Sequence, residues 1–280
     1  VSEQSLRPTF YSGGHIGDLV FQLYAARRMS SIKQSAVRFL IGPGQTTRWG
    51  EKEWHAVKPL VERQDFIYSC DIVDKCPPDA FNFMNANDFI DREEFFEFDR
   101  NRSWPGDMNL RKFYFYAAAG KEMPLTARIA FFNSWVSWIH ADKTKLVNVV
   151  AHIPKHRMCR SAEEWTNILL KLKMSGLIVK LIGGDDVAEW SGKKAIKDMI
   201  VKPVDMAEAA DYINSARIFI GSASCNYVIA EALGVYRFVD VPDESIGTVP
   251  IDQKGWNVAK WSADRIVDSV MRIQRSLTEA

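Results

Sequence analysis

The sequence predicts an α/β protein built from two units, each a parallel, doubly wound sheet. Three observations carry this. In the second half, short apolar runs of strand length alternate with amphipathic segments of helix length, the order that strand–helix–strand units require. One of those runs, Ile218-Phe219-Ile220, is apolar at every position, as a strand buried on both faces must be, and it leads through Gly221-Ser222-Ala223-Ser224 into a helix. In the first half, a short strand meets Gly13-Gly14-His15-Ile16-Gly17-Asp18 and then a helix, so each half carries a small-residue turn after a strand. A chain of 280 residues suffices for one large domain or two modest ones.

In order, the first strand covers residues 9–12. The helix after it runs to about residue 30, where Ile16, Leu19, Val20, Leu23 and Tyr24 form one apolar stripe. A second strand at 37–41 ends at Gly42-Pro43-Gly44. A helix follows at about 54–61, then short strands near 66–68 and 71–73. Residues 76–105 carry no clean period and read as an extended loop region with interrupted structure. A helix at about 110–119 ends at Gly120, a suitable residue for a C-terminal cap. Residues 125–142, with Trp135 and Trp138, connect the halves and set the boundary between domains 1–140 and 141–280. The second half then reads strand 146–153, helix 162–174, strand 177–182, helix 187–194, strand 199–201, helix 206–215, strand 217–220, helix 226–233 and strand 236–241. A last helix covers about 263–274.

Composition narrows the function. Hydrophobic residues make up 47% and charged residues 25% of the chain, enough for a sizeable core. The net charge of +1 gives no whole-molecule attraction to nucleic acid or anionic membrane. A local basic cleft stays open, drawn from Arg27, Arg28, Arg38, Arg48, Lys52, Arg100, Arg102, Arg111 and Lys112. Cys70, Cys76, Cys159 and Cys225 lack zinc-ligand spacing and read as reduced thiols. No apolar run reaches the ~20 residues that span a bilayer, and the first residues have no signal-peptide layout. The expectation is a cytoplasmic protein.

Five segments are candidates for chemistry. The helix that opens near Asn226 directs unpartnered N–H groups and partial positive charge into the Ser222–Asn226 loop, a setting for a phosphate or diphosphate. Residues 152–165 place Lys155, Arg157 and Arg160 just before a helix whose start carries a Ser161/Glu164 capping box. Those cations either offset phosphate charge or form a solvated basic loop. Gly13 to Asp18 matches neither a dinucleotide fingerprint nor a P-loop. It reads either as a tight turn with Asp18 favoured by the helix dipole, or as a site where Asp18 takes a proton late in a concerted attack, with His15 beside it. Gly183-Gly184-Asp185-Asp186 invites a metal, but a helix cap is the simpler reading. The aromatic and acidic residues 89–98 are either a lid or a packed loop.

These residues resemble a known group. Ile218 to Gly234 resembles the donor-site strand, loop and helix of the heptosyltransferase-like (family 9) glycosyltransferases, which have the GT-B fold. Gly14-His15-Ile16-Gly17-Asp18-Leu19 resembles that group's N-terminal Gly-Asp turn, whose aspartate is the proposed catalytic base. Arg157 to Trp165 and Leu181-Ile182-Gly183-Gly184 are similar to its intervening elements in the same order, and Pro59 to Ile67 and Ser134-Trp135-Val136 more weakly. The resemblance spans roughly residues 9–241. The family's loop usually reads Asp-Ser/Thr-Gly with a His soon after; here Ala223, Cys225 and Val228 stand at those positions, which leaves the sugar unspecified. This variant is similar to a divergent branch found among phage and environmental sequences.

The resemblance implies two Rossmann-like domains facing a cleft, with the last helix packing back on the first domain, and an inverting, metal-independent transfer of a sugar from a nucleotide-sugar to an acceptor hydroxyl. That hydroxyl would belong to a glycan, or to a hydroxymethylpyrimidine in DNA. Asp18 would be the base, with His15 beside it. Gly14, Gly17, Arg157, Arg160, Gly183, Ser222, Ala223, Ser224, Cys225 and Asn226 would surround the donor, and Glu231 would reach the ribose. No cofactor beyond the donor is implied. A nucleotide-sugar epimerase and a non-catalytic nucleotide-binding protein remain as rivals.

Overall fold

The computed structural model describes residues 7–44, 50–91, 93–95, 110–120, 123–133, 137–154, 159–183, 194–242, 250 and 253–279. The chain divides into two compact units, residues 1–140 with 205–207, and residues 141–204 with 208–280.

The first unit holds a parallel sheet of β1 (Thr9–Ser12), β2 (Val37–Ile41), β3 (Ile67–Ile72) and β4 (Phe81–Asn82), in the order β3-β2-β1-β4. Two short strands were expected around residues 66–73. They form one, because Ser69 to Ile72 continue the pairing with Arg38 to Ile41 after a register shift. Asp71, a poor strand former, is held at this edge by Arg38 at 2.9 Å. β4 falls in the stretch read as irregular. It pairs with β1 and opens a 3-10 turn at Phe83–Phe89, whose Phe83 stacks on Phe10 with ring centroids 5.3 Å apart.

Helix α1 (Ile16–Lys33) is broader in its burial than the expected stripe. Phe21, Gln22, Ala25, Ala26 and Met29 are buried as well, because α3 (Leu110–Ala119) packs on it. Trp138 fixes the same region: its indole N–H donates to the Val20 carbonyl at 2.9 Å, and its ring meets Tyr24 edge-on. Between them in the chain lies α2 (Glu51–Glu62), capped by Glu53 accepting from the Gly50 N–H at 3.0 Å. A further helix, α4 (Leu125–Asn133), lies in the segment expected only to connect.

The second unit holds β5 (Val149–His152), β6 (Val179–Ile182), β7 (Ile200–Val201), β8 (Ile218–Ser222), β9 (Tyr236–Asp240) and β10 (Gly255–Asn257). All pairs are parallel, in the order β10-β9-β8-β5-β6-β7. Its helices are α5 (Ala162–Met174), α6 (Met206–Ser215), α7 (Cys225–Ala232) and α8 (Ala263–Glu279). α5 begins with the expected capping box: Glu164 accepts from the Ser161 N–H at 2.9 Å and donates its own N–H to Ser161 Oγ at 3.1 Å. Its Trp165, Ile168, Leu169 and Leu172 enter one core with Ile266, Val267 and Val270 of α8. The apolar positions of the last helix meet α5 within the second unit. The helix expected at 187–194 lies almost wholly outside the described residues.

Candidate functional site

In each sheet the chain leaves a central strand in both directions. From β1 it continues to β2 and β3 on one side and returns to β4 on the other. From β5 it continues to β6 and β7, and β8 lies on the opposite side. Ligands of open α/β sheets bind outside the carboxyl ends of the strands at such a switch point. In the first unit that place is the turn after Ser12. In the second it is the region of His152 and Ser222.

At the second switch point the two strands approach closely. A Cβ on Gly221 would stand 2.1 Å from the His152 carbonyl oxygen, so only glycine allows this pairing. Beyond it, Ser224 caps α7, accepting from the Tyr227 N–H at 3.3 Å, and its Oγ lies 2.8 Å from His152 Nδ1. The helix start is thereby held at the carboxyl end of β8. Ser224 and Cys225 are half-buried there, whereas Ser222, Ala223 and Asn226 are buried. The Ala223 N–H is taken by the Asp240 carbonyl at 3.2 Å. Ser222 Oγ and Asn226 Oδ1 are buried without a hydrogen-bond partner.

Two residues expected around the donor are placed otherwise. Arg160 is buried: its guanidinium donates to the Val258 carbonyl, lies over the Trp165 ring at 5.9 Å and stands 3.9 Å from Asp240. It serves the interior rather than a loop surface. Glu231 is fully buried within α7, where its carboxylate accepts from the Tyr227 hydroxyl, and does not reach outward to a ribose. Gly183 ends β6, its N–H donating to the Val201 carbonyl at 3.0 Å. Arg157, with Lys155 and Gly184, lies outside the described residues. Sequence reading missed Asp240, the last residue of β9. Its buried carboxylate accepts from the Cys159 N–H at 3.0 Å and is held above the usual carboxylate range, chiefly by burial and against the pull of Arg160. Its signal was a lone acid closing an apolar strand.

At the first switch point His15 stands exposed in extended backbone at the start of α1, its carbonyl accepting from Leu19 at 2.9 Å. Gly17 and Asp18 follow in the first turn, both half-buried. Gly14 lies against the site: a Cβ there would be 3.4 Å from Asp18 Cβ, 3.6 Å from Gln22 Nε2 and 3.6 Å from Met84 Sδ. Gln22, one turn beyond Asp18, is fully buried on a helix of otherwise apolar neighbours. Its amide lies within hydrogen-bonding reach of the Tyr114 hydroxyl. Burial pushes the Tyr114 hydroxyl well above the ordinary phenol range, and the nearby Asp18 charge adds to this. So Gly14, His15, Gly17 and Asp18 come together as expected from their adjacency. Gln22 and Tyr114 were missed; a polar residue one turn after the acid, on an apolar helix, was the available signal.

Among the described residues no three His, Cys, Asp or Glu side chains gather in a way that would hold a metal ion, and no described helix is long and apolar enough to cross a membrane.

No protein-family model matches the chain, and no curated protein matches it in sequence. Solved structures do match. Heptosyltransferase II of E. coli, an ADP-heptose lipopolysaccharide enzyme, superposes with a TM-score of 0.62 at 9% identity over 98% of this chain and 100% of its own. A family 9 glycosyl transferase from Veillonella parvula gives 0.61 at 10% identity over 96% and 97%. The E. coli heptosyltransferase WaaC, solved with ADP-2-deoxy-2-fluoro heptose, gives 0.61 at 11% identity over 95% and 99%. Over nearly its whole length, the chain has the GT-B fold of the family 9 heptosyltransferases.

Proposed function

We propose that the protein is an inverting, metal-independent glycosyltransferase that moves a sugar from a nucleotide-sugar to an acceptor hydroxyl. The observation that carries this is the pairing of two switch-point turns in one chain: one opens on a carboxylate, Asp18, and the other on a capped helix start, Ser224 to Asn226. The first unit supplies the base and takes the acceptor, and the second takes the donor diphosphate. The acceptor O–H gives its proton to Asp18 as its oxygen bonds to the anomeric carbon. The bond from that carbon to the phosphate oxygen breaks on the opposite face, and its electron pair leaves with the nucleoside diphosphate. The α7 helix start, together with Arg157, offsets the charge that develops on the leaving group. The relatives solved as ADP-heptose enzymes make a nucleotide-sugar the natural donor to test first.

Between the two acceptor classes, the geometry favours a glycan. Of the cations available for a basic DNA-binding wall, Arg28 and Arg111 are buried, and Arg38 is paired with Asp71. Binding to a hydroxymethylated DNA duplex should therefore be weak, with no steep decline as salt is added.

The test is Asp18→Ala, assayed with a panel of nucleotide-sugars by release of nucleoside diphosphate. General-base catalysis contributes 10²–10⁴-fold, so turnover should fall by at least about 100-fold. Turnover surviving within about tenfold refutes the base assignment. Thermal stabilisation by a nucleotide-sugar, ~2.7 kcal/mol at 100 times Kd, reports donor binding independently. If no nucleotide raises the midpoint, the donor assignment fails.

A further inference from the structure

We propose that His152 is a positioning residue for the donor turn: through its Nδ1 it holds the Ser224 hydroxyl, and through Ser224 it sets where α7 begins. The functional meaning of this role rests on the reading of α7 as the diphosphate site; the clamp itself does not.

Three observations converge on this residue. First, the turn meets His152 at both of its ends. Gly221 is paired in register with His152, and a Cβ on Gly221 would lie 2.1 Å from the His152 carbonyl oxygen. Three residues later the chain comes back to the same residue, where Ser224 Oγ stands 2.8 Å from His152 Nδ1. The backbone of His152 therefore fixes where the turn leaves β8, and its ring fixes where the turn enters the helix.

Second, hydrogen-bond counting gives the ring a direction. A serine hydroxyl has one proton to donate and two lone pairs. Ser224 Oγ accepts from the Tyr227 N–H at 3.3 Å, as a helix cap does. Its proton is then directed at Nδ1, which accepts it and leaves the ring proton on Nε2. This bond holds the hydroxyl in the orientation that keeps a lone pair toward the Tyr227 N–H.

Third, the surroundings make His152 a fixed part. β5 is Val149-Val150-Ala151-His152, apolar until its last residue, and His152 is buried there. Burying an imidazole costs free energy unless its nitrogens are hydrogen-bonded, and the Ser224 hydroxyl gives it such a bond. On the other side of the turn the Ala223 N–H donates to the Asp240 carbonyl at 3.2 Å. The turn is thus tied to β5 through His152 and to β9 through Asp240.

A helix start that binds an anion acts by preorganisation: its N–H groups are aimed before the charge arrives. His152 gives that aim through Ser224, without itself touching the ligand.

The test uses the shapes of two amides. The side chain of Asn places a polar atom near the position of Nδ1, whereas that of Gln places one near Nε2. His152→Asn should therefore keep the clamp, and His152→Gln should lose it. Ser224→Ala breaks the same bond from a half-buried position, so the test does not depend on His152→Gln folding. Two readouts are taken on the whole protein. Hydrogen exchange at the Tyr227 amide should match wild type in His152→Asn. In His152→Gln and Ser224→Ala it should accelerate at least about fivefold, ~1 kcal/mol. Affinity for ADP, GDP, CDP and UDP, measured by titration calorimetry, should follow the same order. For the nucleotide that wild type binds most tightly, His152→Asn should stay within about twofold and the other two should weaken at least about fivefold. The double variant of His152→Gln with Ser224→Ala should bind no more weakly than the weaker single one, because both remove one bond.

Exchange at Tyr227 that is unchanged in His152→Gln, or as fast in His152→Asn, overturns the clamp. Affinity kept by His152→Gln and lost in His152→Asn also overturns it, since the ring would then act through Nε2. Exchange in the expected order with affinity unchanged in every variant overturns the role in donor binding. If exchange follows that order and wild type binds none of the four nucleotides, the clamp stands and the donor reading of α7 fails.

Discussion

The close approach of β8 to β5 makes Gly221 the most informative single residue to perturb. In Gly221→Ala the new Cβ would lie 2.1 Å from the His152 carbonyl oxygen, 3.0 Å from its carbon and 3.2 Å from its nitrogen. All three atoms are backbone, so no side chain can swing aside; the strands themselves must separate. The glycine also has φ +155, a conformation that L side chains rarely adopt. Backbone strain of this kind costs ~1–3 kcal/mol, and overpacking of a dense interior typically costs another ~1–3 kcal/mol. Their sum, about 2–6 kcal/mol, is a large share of the ~5–15 kcal/mol that holds a domain together. At ~2–4 °C per kcal/mol, the midpoint should fall by roughly 4–24 °C.

Differential scanning calorimetry reads this directly. Gly176→Ala is the control. Gly176 also has positive φ, +86, but nothing lies within 4 Å of its would-be Cβ, so it isolates conformational strain, about 1–2 kcal/mol. A midpoint for Gly221→Ala within 2 °C of that control would refute the steric reasoning.

Ser224→Ala removes the α7 cap and the partner of His152; it should cost ~1 kcal/mol in urea unfolding and reduce nucleotide-induced stabilisation, and an unchanged free energy would remove the cap from consideration. Asp240→Asn should change the pH dependence of stability. The folded pKa of Asp240 is raised above its unfolded value, so the native state holds that proton more tightly; its contribution is complete below the unfolded value, ~3.9, and is lost as pH rises through the folded value. Wild type should therefore lose stability relative to Asp240→Asn across that window, and a difference that does not vary with pH between 4 and 8 would contradict the buried-carboxylate account.

Elements marked by strong local signals were legible in the sequence. β1 and β2 are apolar runs closed by glycine or proline, and α3, α5 and α6 begin and end where their patterns do. Elements sustained by tertiary contact were not. β10 is three residues, Gly255–Asn257, without a strand pattern of its own; it pairs because Trp256 stacks on Phe238 at 5.0 Å. β4 is two residues, held by the Phe10, Phe81 and Phe83 rings. The candidate site divides in the same way. Asp18 and the Ser222–Asn226 loop follow from chain order, since a turn after a central strand ends at the switch point. Arg160 and Glu231 do not, because charge at a position says nothing about direction: Arg160 turns in to Val258 and Asp240, and Glu231 to Tyr227.

That inward turn has a consequence for any anion held at the start of α7. Asp240 is paired in register with Ser222, so a buried carboxyl group stands beside the loop that would take the diphosphate. An ionised carboxylate there would oppose the phosphate across low-dielectric protein, where the repulsion is strongest. Two features of the structure reduce it: the Arg160 guanidinium stands 3.9 Å from Asp240, and burial favours the protonated acid. Asp240 also accepts the Cys159 N–H at 3.0 Å. Were a phosphate held there, Arg160 would offset the charge of Asp240 beside it.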